Sequence, residues 1–107
     1  MTQRPRISIE YCPRCGWLLR SAWLAQELLT TFEAELGEVA LIPSPESGTF
    51  RIQVGDAQVW SRQTDGGFPA AAELKRRVRD HVAPGRVLGH VDAQGNDAQG
   101  KAPETDP

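Results

Sequence analysis

Thiols and imidazoles are scarce in this chain, whose 107 residues include two cysteines and two histidines. Two cysteines cannot build the multi-bridge framework of a small secreted scaffold. Zinc normally takes four ligands, so a site within one chain would need Cys12, Cys15, His81 and His90 together, and neither histidine sits in a recognisable ligand pair. Long apolar runs are missing as well. No stretch approaches the length that spans a bilayer, and the N-terminus lacks the apolar core of a signal peptide, so the chain is read as cytoplasmic. A surplus of one charge sign is also absent. Twelve basic against fourteen acidic residues give a net charge of −2, which argues against a nucleic-acid or membrane-surface partner. The length suffices for one small domain.

What the chain does have is concentrated at Cys12-Pro13-Arg14-Cys15, where its only cysteines stand three residues apart. Upstream, Arg6 to Tyr11 alternates apolar and polar residues, the period of a strand. Downstream, apolar residues recur at helical spacing as far as Leu36, which predicts a helix beginning at Gly16. A thiolate at a helix N-terminus meets unpaired backbone N–H groups and the positive end of the macrodipole. Its pKa therefore falls below the free value of about 8.5. Arg14 is expected to add positive charge, and Pro13 suits a first turn where its missing N–H has no partner. Cys15 lies within disulfide reach, able to resolve a mixed disulfide formed at Cys12. Half of a zinc knuckle and an inert buried pair share the same spacing. The strand-to-helix context favours redox chemistry, the more so because thiols in the cytoplasm are mostly reduced.

The remaining elements follow from pattern. Leu18, Ala22, Ala25, Leu28, Leu29, Phe32 and Leu36 form one helical stripe, with Gly37 expected to close it. Trp17, Leu19 and Trp23 fall partly outside it, as core or as a docking patch beside the cysteines. Val39 to Ile42 reads as a central strand buried on both faces. Gly55-Asp56 joins strands over Thr49–Val54 and Ala57–Arg62 as a hairpin. Counting outward pairs Val54 with Ala57 and Ile52 with Val59, which leaves Trp60 on the opposite face. Thr64 to Gly67 breaks the strand. A second helix then runs from Pro69 to about Val82, burying Ala71, Leu74, Val78 and Val82, while Lys75, Arg76, Arg77 and Arg79 form a solvated basic face. Val87, Leu88 and Val91 can lie against the domain, which takes in residues 1–91. Residues 92–107, where Asp92-Ala93-Gln94-Gly95 recurs as Asp97-Ala98-Gln99-Gly100, are too polar to offset the entropy of ordering and are read as a disordered tail.

The order β-α-β-β-β-α, with the cysteines between the first strand and first helix, is a minimal thioredoxin-like core. It is a two-layer α/β (α+β) arrangement with helices on a four-stranded mixed sheet, the first two strands parallel and the last two an antiparallel hairpin. Pro45 precedes the third strand where this fold often keeps a cis proline facing the dithiol, and either isomer suits the sequence.

Ile9-Glu10-Tyr11-Cys12-Pro13-Arg14-Cys15-Gly16-Trp17, the segment Gly48-Thr49-Phe50-Arg51-Ile52 with Gly55, and Gly66-Gly67-Phe68-Pro69 resemble the selenoprotein W-like (Rdx) family in its bacterial, cysteine-containing form. The resemblance spans about residues 6 to 83. It implies a thioredoxin-like fold and a thiol-based oxidoreductase role in cell redox homeostasis, with glutathione or a peroxide-handling pathway as context. Cys12 and Cys15 would be the catalytic pair, with Cys15 at the position of selenocysteine in selenium-containing members, and Pro45 and Phe68 would line the substrate site.

Helix-terminus geometry makes Cys12 the attacking sulfur, whereas selenium at the second position would let the second residue lead. The partner is a protein or small-molecule thiol or disulfide, glutathione among them, and neither organic cofactor nor metal is required. Two competing readings use the same residues. One is a binding module whose affinity the cysteines switch with redox state. The other is a zinc-linked dimer sharing Cys12 and Cys15 from two chains. The sequence sets no oligomeric state.

Overall fold

In the computed structural model, which describes residues 4–89, one mixed sheet is covered on a single face by two long helices. Its strands are β1 (Arg6–Tyr11), β2 (Glu38–Pro43), β3 (Phe50–Val54) and β4 (Ala57–Ser61). They lie in the order β2-β1-β3-β4, with β1 and β2 parallel and the other neighbours antiparallel. The alternation read in Arg6 to Tyr11 becomes one-sided burial. Ile7, Ile9 and Tyr11 are enclosed, while Arg6 is exposed and Ser8 and Glu10 are half-buried. Their register partners Val54, Ile52 and Phe50 on β3 continue the same buried face.

The helices are α1 (Leu18–Thr31) and α3 (Ala71–Val82), with a single turn, α2 (Arg62–Asp65), between β4 and α3. Leu24, Leu28 and Phe32 from the α1 side meet Leu74 and Val78 of α3 in the core over the sheet. The apolar stripe of α1 is rotated from the one its sequence suggests, since Ser21 and Leu24 are buried while Leu18 and Leu29 are exposed. The helix also ends earlier than Leu36. Gly37 is not a left-handed terminator but a point of close approach, because a Cβ there would meet the Arg4 carbonyl oxygen at 3.1 Å.

Two strand readings are corrected. β2 is an edge strand rather than a central one. Val39 and Leu41 pack on the core, but Ile42 is exposed, because no described helix covers the sheet's second face. In the hairpin, Gly55-Asp56 forms the expected turn and Val54 pairs with Ala57, but a bulge intervenes and Ile52 pairs with Trp60. One extra residue on β4 shifts the side-chain alternation. Val59 and Trp60 are consequently both buried. The Trp60 indole donates to the Gly67 carbonyl at 2.8 Å, and the Arg77 guanidinium lies 4.6 Å from its ring centroid.

The basic residues of α3 are not a solvated face. Lys75 is buried and pairs with Glu27 of α1 at 2.9 Å. Arg77 donates to the Val59 carbonyl, Asp65 and Glu73, stitching α3 to β4 and α2. Asp65 also accepts the Ser61 N–H, and these donors hold its carboxyl below the usual range. Pro69 is buried and precedes α3 instead of opening it. Leu88 is buried against the core and Val87 is exposed, whereas His90, Val91 and the 92–107 segment lie outside the described residues. No described helix is long and apolar enough to cross a membrane.

Candidate active site

Cys12 directly follows β1, but the dithiol does not sit in a helix. The Gly16 N–H donates to the Pro13 carbonyl at 3.1 Å, closing a separate turn over Pro13 to Gly16. Gly16 has φ +76°, a left-handed conformation that a helix cannot propagate through. α1 therefore starts at Leu18 with Trp17 as its N-cap. No group of α1 is among those that lower the Cys12 pKa.

Stabilisation comes from closer groups. The Cys12 pKa is lowered to about 7, chiefly because the Cys15 thiol donates a hydrogen bond to its sulfur. Burial opposes the shift. The backbone N–H groups of Gly48 and Cys15 and the Ser47 hydroxyl support it. Arg14, expected to help through its charge, is exposed and is not among these groups.

The two sulfurs are 2.7 Å apart and both cysteines are free. Their surroundings differ sharply, because Cys12 is 1% exposed whereas Cys15 is open to solvent. A disulfide bond is about 2.05 Å long, so oxidation requires the sulfurs to move by less than an ångström. One sulfur is thus placed to meet a substrate, and the other, readily ionised, is placed behind it.

The other expected site residues separate into two groups. Phe68 stacks edge-on against Trp17 at 4.9 Å, two residues beyond Cys15, and also meets Phe50 at 4.6 Å. The arginines flank this stack, Arg20 over Phe68 and Arg62 over Trp17. Pro45 is exposed in the β2–β3 loop, and its bond to Ser44 is trans, like every peptide bond among the described residues. In that loop Ser47 and Gly48, to which no role was assigned from sequence, are the residues that help to lower the Cys12 pKa. The only signal for them was their place in or beside the Gly48-Thr49-Phe50 segment. Among the described residues no three His, Cys, Asp or Glu side chains are grouped to hold a metal ion.

Residues 6–80 match the model of the Rdx family. The chain belongs to the Rdx family. A crystal structure of a Bordetella parapertussis protein is 60% identical to this Rdx chain, with a TM-score of 0.73, and the match covers 75% of this chain and all of that one. A selenoprotein W-related protein from Vibrio cholerae is 51% identical with a TM-score of 0.71, over 74% of this chain and 98% of that one. Comparison with curated proteins yields no match. The span matched by the Rdx family model includes the dithiol turn, the β2–β3 loop and Phe68.

Proposed function

We propose that this Rdx protein is a thiol–disulfide oxidoreductase serving cell redox homeostasis in the cytoplasm. The observation that carries this reading is the pair of free sulfurs at 2.7 Å, one exposed and one buried. We infer from it the reverse of the roles that helix-terminus geometry suggests. Cys15 can reach a substrate, while Cys12 at 1% exposure cannot.

In the reduced protein the Cys15 thiol donates to the Cys12 sulfur. The Cys12 thiolate takes that proton as the Cys15 sulfur attacks a substrate disulfide R–S–S–R′. The substrate S–S bond breaks, R′S⁻ leaves and is protonated by water, and R stays on Cys15 as a mixed disulfide. Cys12 then loses its proton to water and attacks the Cys15 sulfur, expelling RS⁻, which is protonated in turn. Two electrons have passed to the substrate, giving RSH and R′SH, and the protein holds a Cys12–Cys15 disulfide. Two equivalents of an external thiol such as glutathione restore the dithiol and become the oxidised dimer.

Turnover of a small disulfide such as hydroxyethyl disulfide, with glutathione as reductant, tests this reading. The full-length protein should turn over many times, and the Cys12→Ala/Cys15→Ala double variant should stay at background. Because Cys12 must be ionised to accept the first proton and its pKa lies near 7, the rate should fall by about tenfold from pH 8 to pH 6. Turnover equal in the double variant would contradict the proposal.

A redox-switched binding module is a second reading, favoured by one observation. Leu18 and Leu19, shortly after Cys15, are 48% and 74% exposed. This reading predicts redox-dependent association with a protein and no turnover in the same assay.

A further inference from the structure

Away from the dithiol, cations are spent on carboxylates. Arg6, Arg51, Lys75, Arg77, Arg79 and Arg86 each form an ion pair. Arg14 and Arg62 differ. Both are exposed, and among the described residues no carboxylate pairs with either. Arg14 stands next to Cys15 in the dithiol turn, and Arg62 opens α2 with its guanidinium 5.1 Å from the ring centroid of Trp17.

Arg62 is held at both ends. Its carbonyl accepts the Gly66 N–H at 2.9 Å and the Gly67 N–H at 3.2 Å, which fixes its backbone. Its guanidinium rests on Trp17, Trp17 meets Phe68 edge-on at 4.9 Å, and Phe68 packs at 4.6 Å on Phe50, which is fully enclosed in the core. A line of rings thus runs from the core to an exposed guanidinium. An arginine laid on a ring face keeps its planar fork of N–H groups, the geometry that carboxylates bind in pairs. Asp65, three residues on, does not compete for that fork, because it accepts from the Ser61 N–H and from Arg77.

Resting on the reading of Cys15 as the attacking sulfur, we propose that Arg62, held on Trp17, makes the protein selective for small disulfides that carry a carboxylate. Arg14 adds to the same positive field. Trp17 lies two residues from Cys15, so their Cα atoms are at most about 7.6 Å apart. The charge on its ring therefore acts on a molecule approaching the exposed sulfur, since fields reach about 10 Å at 0.1 M salt and about 30 Å at 0.01 M. An anionic disulfide is drawn to the face that presents Cys15, and a neutral one gains nothing from the arginine.

The experiment follows the first chemical step on the full-length reduced protein with two chromophoric reagents, the dianionic dithiobis(nitrobenzoate) and the neutral dithiodipyridine. The Cys15 sulfur attacks, the reagent's S–S bond breaks, and the coloured leaving group is read as an initial rate. In about 0.01 M salt, Arg62→Gln should lower the ratio of anionic to neutral rate constants about threefold and leave the neutral rate unchanged. Raising the salt to about 1 M should bring the variant and parent ratios together. Arg6→Gln removes the same charge at the far end of β1, about 20 Å from Cys12, and should lower the ratio by less than about 1.5-fold. An unchanged ratio in Arg62→Gln, an equal fall in Arg6→Gln, or a neutral rate that falls in step with the anionic one would overturn the assignment. Cys15→Ala should abolish the reaction with both reagents, and retained rates there would overturn the attacking role on which the proposal rests. The step needs no turnover, so failure of the oxidoreductase reading would show as absent cycling with this charge preference intact.

Discussion

Cys15→Ser is expected to abolish disulfide reduction, lowering turnover by at least about a hundredfold, and to form no mixed disulfide with substrate. Its remaining sulfur, on Cys12, is 1% exposed and has no path to a substrate without opening the turn. Cys12→Ser should fail differently. Its exposed Cys15 still attacks, more slowly without a thiolate to receive the proton, and the mixed disulfide then persists because nothing resolves it. Mass spectrometry of each variant after incubation with glutathione disulfide distinguishes the two, since a single added glutathione should accumulate on Cys12→Ser alone. Accumulation on Cys15→Ser at the rate of Cys12→Ser would return the attacking role to Cys12. Both substitutions destroy turnover, so a rate measurement without the trapping measurement would not assign the roles.

Phe50→Ala should cost about 3–5 kcal/mol of stability, the range for emptying a buried aromatic position. Phe50 is 2% exposed, lies opposite Tyr11 at the end of β1 and carries Phe68 on its ring. A small domain loses about 4–8 °C of Tm per kcal/mol, so a thermal melt of the full-length variant should shift down by at least about 12 °C. The same substitution removes the floor under Phe68 and, through it, under Trp17. Trp17 lies two residues from Cys15, so the emission of this tryptophan should change well below the melting transition. A shift of less than about 3 °C would show that the Phe50 ring does not bear the core load assigned to it.

Much of the fold was legible because one-sided burial leaves a direct trace in the sequence. Arg6 to Tyr11 alternates because one face of β1 meets the helices and the other meets water. The Gly55-Asp56 turn and the parallel β1–β2 crossover were readable for similar local reasons. What was misread depends on geometry that no short pattern encodes. The bulge between β3 and β4 adds one residue, and counting from the turn cannot detect it, so Ile52 was paired with Val59 instead of Trp60. Val39 to Ile42 is as apolar as a central strand, yet edge position is a property of strand order and not of the segment. The arginines and Lys75 of α3 have the composition of a solvated face. Their partners Glu27, Asp65 and Val59 lie on three other elements and come together only in the fold.

The candidate site divides in the same way. The spacing of Cys12 and Cys15 was plain, and so was their position after a strand. The positive φ of Gly16 was not, and it moves the dithiol out of α1 and into a turn of its own. This changes the source of thiolate stabilisation from a helix end to neighbouring donors. Ser47 and Gly48 sit in a polar loop of ordinary turn composition, and nothing in that composition marks them as groups that lower the Cys12 pKa.

The central claim is that Cys12 and Cys15 form one reversible two-electron couple. Equilibrating the metal-stripped protein in defined thiol–disulfide buffers, alkylating the free thiols and counting them by mass tests it most directly. The account predicts a single transition from two alkylated cysteines to none, with a midpoint between about −200 and −300 mV. Persistence of two free thiols under oxidising buffers, or their loss only into disulfides between two chains, would contradict it.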